Sequence, residues 1–119
     1  MIFGQPPIGA EDGEGLIYRI DNLCLPPAAR DDFEAGARRN IEFVRELPGY
    51  RGHWVFEKTG GPGAFNLMAV AAWASQEDYA QAASRVSEYY QRIGFDRNAT
   101  LAKWGGRSEV AEFRALTIR

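Results

Sequence analysis

The segment Ala71-Ala72-Trp73-Ala74-Ser75-Gln76-Glu77-Asp78-Tyr79 changes its hydrophobic period partway along. Upstream, Ala64 to Trp73 reads as an apolar strand. Downstream, Ser75 is the kind of residue that caps a helix, and Asp78 three residues later makes a capping-box-like start. Tyr79, Ala83, Val86, Tyr90 and Ile93 then form one helical stripe, with Gly94 as its stop. A strand therefore hands over to a helix between Trp73 and Ser75.

Working backwards, Thr59-Gly60-Gly61-Pro62-Gly63 is turn chemistry and Tyr50 to Lys58 alternates, which predicts a hairpin with the 64–73 strand. Tyr50, Trp54 and Phe56 fall on one side of that strand, with Arg51, His53, Val55 and Glu57 on the other. Pro48-Gly49 ends an earlier helix whose stripe is Phe33, Ala37, Ile41, Val44 and Leu47. Pro26-Pro27 can open that helix, and Asp31, Asp32 and Glu34 sit near the positive end of its dipole. Leu16 to Cys24 is a first strand, with Leu16, Tyr18, Ile20, Asn22 and Cys24 on one face and Ile17, Arg19, Asp21 and Leu23 on the other. Residues 1–15 read as an irregular N-terminal arm. Residues 95–110 have no clear period beyond a turn at Trp104-Gly105-Gly106, and Glu112 to Arg119 is expected to be the closing strand. The order β-α-β-β-α-β predicts one α+β domain over residues 16–119, ferredoxin-like, with an antiparallel sheet and two helices on one face. Two helices leave the other sheet face bare, so a homodimer covering that face is expected.

Composition agrees with a single self-sustaining core. The 119 residues are 45% hydrophobic and 25% charged, values of a globular chain. A net charge of −2 lacks the basic footprint of a nucleic-acid binder. One cysteine, Cys24, permits no internal disulfide and suits a reducing compartment. With one His and one Cys, no soft-ligand metal site is expected. The apolar run Leu67 to Ala74 is too short to span a bilayer, and the start of the chain does not read as a signal peptide. A soluble cytoplasmic protein, with neither membrane nor nucleic acid as partner, is the expectation.

Three segments resemble the antibiotic-biosynthesis monooxygenase domain, a dimeric α+β barrel. Arg30-Asp31-Asp32-Phe33-Glu34 resembles the family's first-helix start, and Pro48-Gly49-Tyr50 its entry into the second strand. Trp73-Ala74-Ser75 through Tyr79 resembles its junction of third strand and second helix. The resemblance covers about residues 16–94. Similar proteins include cofactor-independent oxygenases of aromatic polyketides, quinol monooxygenases, heme-degrading oxygenases and proteins without known activity.

In the polyketide oxygenases the resemblance implies a pocket lined by a first-strand Asn, the third-strand Trp and a second Asn four residues before that Trp. Here Asn22 and Trp73 match the first two, and the third position holds Ala69. Tyr79 fills the place of an aromatic six residues past the Trp, and Arg92 lies near that of a second-helix Arg. The heme-degrading branch carries a Trp and a His on the second helix; here those positions are Ala82 and Arg92, which disfavours heme held by an imidazole.

Asn22 and Trp73 are thus the candidate catalytic residues, with Tyr79, Arg92 and His53 as candidate substrate contacts. His53 is the single imidazole and a candidate general base. Without metal, flavin or another cofactor, oxygen chemistry would draw on the substrate's own electrons, the protein desolvating and stabilising an anion of a small quinol-like or polyketide-like aromatic. Two other functions remain open. A pocket filled by Ala69, Ala71, Ala72 and Ala74 would favour a non-enzymatic dimeric binding protein. His53 facing the pocket would favour a lactone isomerase working by proton transfer.

Overall fold

The computed structural model describes residues 15–116 and 118. All but Gly15 of the expected N-terminal arm lies outside the described residues. Strand β1 (Ile17–Cys24) leads through a single 3-10 turn (Pro27–Ala29) into helix α1 (Arg30–Val44). Strands β2 (Tyr50–Glu57) and β3 (Leu67–Trp73) form the hairpin. Helix α2 (Gln76–Ile93), a short helix α3 (Arg97–Trp104) and strand β4 (Arg107–Phe113) follow. All four strands pair antiparallel in the order β2-β3-β1-β4, the ferredoxin-like α+β arrangement.

The two motifs that begin and end the hairpin touch each other. The Ala74 N–H donates to the Gly49 carbonyl at 2.8 Å, and the Ser75 Oγ accepts from the Asp78 N–H at 3.1 Å. Gly49 has φ 84, and a Cβ there would stand 2.5 Å from the Asp78 side chain. No other residue fits between the turn and the start of α2.

Three expectations are corrected. The segment 95–110 contains α3, capped by Asp96, whose side chain accepts from the Ala99 N–H at 3.0 Å, and stopped by Gly105 at φ 73. The closing strand runs over 107–113 rather than 112–119, pairing with β1 from Cys24↔Arg107 to Tyr18↔Phe113. Its sequence, Arg-Ser-Glu-Val-Ala-Glu-Phe, is charged as edge strands often are, which hides its period. Finally, Tyr50 does not share a face with Trp54 and Phe56. A bulge sets Tyr50 opposite Trp73 while Gly52 is opposite Ala72, so one residue is gained and Tyr50 turns to the side of His53. Gly52 takes φ 146, and the Trp54 ring lies 3.1 Å from where its Cβ would be.

Helices pack on one face of the sheet. Val44, Leu47 and Ala82 close over Ala71 and Trp73, while Ala29, Phe33, Leu101 and Trp104 close over Leu23 and Leu67. The opposite face carries a cluster built from the strands and their margin: Leu16, Tyr18, Ile20, Trp54, Val70 and Ala72.

Candidate functional site

Residues directly opposed on antiparallel strands point to the same side. On the helix side, Glu112, Arg19, Ala71 and His53 form one row across all four strands. Val110, Asp21, Ala69 and Val55 form the next. Above these rows, under the three helices, lies a cavity of about 800 Å³, within the usual range for small-molecule sites. Its floor is low because Ala69 and Ala71 contribute only methyl groups. They line the space without filling it, and Ala72 points to the other face.

The expected site residues divide into two groups. Trp73, 3% exposed, and Tyr79 and His53 all line the cavity. Asn22 does not. It sits opposite Met68 and Glu109 on the helix-free face, one residue out of phase with the cavity floor. Arg92 is exposed on α2, its guanidinium 5.6 Å above the Tyr89 ring, and is also absent from the lining. The expectation that Asn22 forms the cavity wall is thereby corrected. The reason is physical: both faces of β1 carry enough apolar surface to seek cover, so alternation alone does not say which one the helices take.

The polar residue that β1 does send into the cavity is Asp21, buried to 5% exposure. Arg97 of α3 pairs with it, Ser108 of β4 donates to it, and Arg97 also donates to Ser108 Oγ at 2.7 Å. This network satisfies a carboxylate that would otherwise be costly in an apolar setting. It also ties α3 to β1 and β4. An acid between Ile20 and Leu23 in mid-strand is a signal that it has a partner, but the partner lay in the segment without a legible period.

His53 is neutral at neutral pH. Burial and the nearby positive charge of Arg19 push its pKa down to about 4. Its Nδ1 is buried and has no hydrogen-bond partner. Tyr79 is held above the ordinary tyrosine pKa by burial and by Glu112, with Arg19 partly opposing. Tyr90 is raised by burial, and its hydroxyl accepts from Asn40 Nδ2 at 2.8 Å. Both phenols therefore remain donors at neutral pH. Asn40 Oδ1 is a second buried atom without a partner. Trp73 stands against Tyr50, ring centroids 5.8 Å apart and edge to face, which fixes it as an apolar wall. Among the described residues, no group of three or more His, Cys, Asp or Glu side chains is placed to hold a metal ion. Among them, too, no helix is long and apolar enough to cross a membrane.

No protein-family model matches the chain, and no curated protein matches it. Solved structures do. A candidate monooxygenase from Shewanella loihica PV-4 is 19% identical, with 87% of this chain and 97% of that one covered at a TM-score of 0.66. SnoaB, a cofactor-independent oxygenase from Streptomyces nogalater, is 15% identical, with 87% and 96% covered at a TM-score of 0.65. A candidate antibiotic-biosynthesis monooxygenase from Nitrosomonas europaea is 14% identical, with 86% and 91% covered at a TM-score of 0.63. The chain has the fold of antibiotic-biosynthesis monooxygenases. At these identities the likeness speaks to fold, and chemistry must be argued from the cavity.

Proposed function

We propose that this protein is a monooxygenase of a small electron-rich aromatic, of quinol or polyketide type, and that it uses the substrate's own electrons rather than a cofactor. One observation carries the reading: an aromatic-walled cavity of about 800 Å³ holds a neutral imidazole with an unpartnered buried nitrogen. The likeness to a cofactor-independent oxygenase supports it.

In such a site an anthrone-type substrate, with a CH₂ flanked by aryl rings and conjugated to a carbonyl, loses one proton to the His53 ring to give an enolate. The electron-rich carbon reduces O₂, a C–O bond forms, and the same proton returns from His53 to leave a carbon-bound hydroperoxide. Loss of water then turns that carbon into a carbonyl. One oxygen atom enters the substrate, and the other departs as water with the two hydrogens of the CH₂. The Tyr79 and Tyr90 hydroxyls donate to the oxyanion, His53 carries the proton between these steps, and Trp73 excludes water.

On this reading the functional unit is a homodimer. Phe56, Met68 and Phe113 are 46%, 38% and 50% exposed on the helix-free face, an apolar patch suited to a second copy. Oxygen-electrode traces with 1,8-dihydroxyanthrone should show uptake well above the spontaneous rate, and sedimentation should give twice the chain mass. Uptake no faster than without protein would end the oxygenase reading. His53 facing the cavity also suits a lactone isomerase, and turnover of a butenolide without oxygen uptake would favour that instead.

A further inference from the structure

We propose that Arg19 is the anion anchor of this cavity, and that its preferred ligand is an aromatic carboxylate whose anion lies over Ala71 between Arg19 and His53. The proposal deepens the functional reading above and rests on the cavity being the substrate site.

Arg19 and His53 flank Ala71 in one row on three adjacent strands, which places their Cα atoms about 10 Å apart at the usual strand spacing. Only a methyl group rises between them. That gap admits the edge of a planar ring bearing a carboxylate.

The cavity is also electrostatically unlike the chain as a whole. Its lining holds four cations, Arg19, Arg39, Arg97 and Lys103, against two carboxylates, Asp21 and Asp32, although the chain carries a net charge of −2. A cavity of one sign with apolar walls concentrates ligands of the other. Of these cations, Arg97 is committed to Asp21 and Ser108, and Arg39 lies 5.1 Å above the Phe95 ring. Lys103 is exposed on α3. Arg19 forms no salt bridge among the described residues; Glu112, opposite it on the edge strand, is exposed and not paired with it. Arg19 lines the cavity together with His53, Tyr79 and Tyr90, and its charge bears on all three. A planar fork of donors so placed, partly buried and without a carboxylate, is matched by one from a ligand.

The test is a matched pair of probes, 1-hydroxy-2-naphthoate and 1-hydroxy-2-naphthamide, titrated into the full chain by calorimetry at neutral pH and low salt. Wild-type protein should bind the carboxylate at least about tenfold more tightly than the amide. Arg19→Gln should remove that preference while leaving amide binding within about twofold, and Arg19→Lys should restore part of it. A second readout needs no variant: the carboxylate should raise the midpoint of the His53 ring-proton titration by NMR, unambiguous because His53 is the only histidine. Equal binding of both probes to wild-type protein would overturn the anchor and leave the substrate cavity standing. Absence of binding by either probe would overturn both.

Discussion

On the side turned toward the helices, β1 presents Arg19, Asp21 and Leu23; on the side without helices it presents Tyr18, Ile20 and Asn22. The second set is the more apolar, yet it is the first that becomes the floor of the cavity beneath the helices. The difference teaches what each surface is for. A cavity needs small residues that leave space and a few polar groups with fixed partners, so its floor reads as mixed: Arg19, Asp21, Ala69, Ala71 and His53. The helix-free face instead exposes Phe56, Met68 and Phe113 beside a buried cluster that includes Trp54 and Val70. Polarity on a strand marks the inside of a site as readily as it marks solvent.

The sharpest way to break this contrast is to strip Asp21 of its partner. Arg97→Leu should leave a buried carboxylate held only by Ser108 and cost about 3 kcal/mol or more in urea unfolding. A loss below about 1 kcal/mol would mean that Asp21 is solvated and the floor is not an interior.

The pH dependence of stability comes next. In the unfolded chain His53 takes a proton near its ordinary 6.5, while in the fold it resists until about 4. Between those values the unfolded state binds more protons, so stability is fully present above about 6.5 and falls as pH drops toward 4. The loss is up to about 3 kcal/mol. His53→Gln should remove that part of the slope, and the difference between the two proteins isolates it from the carboxylates. Parallel curves for both would place the imidazole in solvent.

Filling the floor is a smaller perturbation. Ala71→Leu places a larger side chain between Arg19 and His53 and should lower oxygen uptake about ten- to a hundredfold, roughly 1.4–2.7 kcal/mol, while the protein stays folded. Unchanged uptake would move the reaction out of this cavity. The smallest effect is expected on the other face. Asn22→Ala should leave uptake within about twofold, because no cavity wall is removed, and a tenfold loss would show that the helix-free face takes part in the chemistry.

The elements were legible where a local rule applied. Ser75 and Asp78 announce α2, Pro48-Gly49 closes α1, and the turn at 59–63 makes the hairpin, so order and topology follow from caps, stripes and turns. Trp73, Tyr79 and His53 were legible as cavity candidates, since an aromatic at a strand end, a tyrosine on a helical stripe and a lone imidazole each carry a local signal. Asn22 failed by one residue because strand alternation has a period but no sign.

By itself, then, the sequence determined the first strand, the two long helices, the hairpin, their order and the α+β class, because periodicity, caps and turn residues act over a few neighbours, while α3 and the bounds of β4 lay in a stretch without a legible period. Only the tertiary structure decided which sheet face the helices cover. It also decided that a bulge at Gly52 brings Tyr50 to the side of His53, and that Asp21 meets Arg97 across 76 residues. These depend on pairings between distant segments, where the free energy of burying a charge or covering a face is settled by the whole assembly rather than by any stretch of chain.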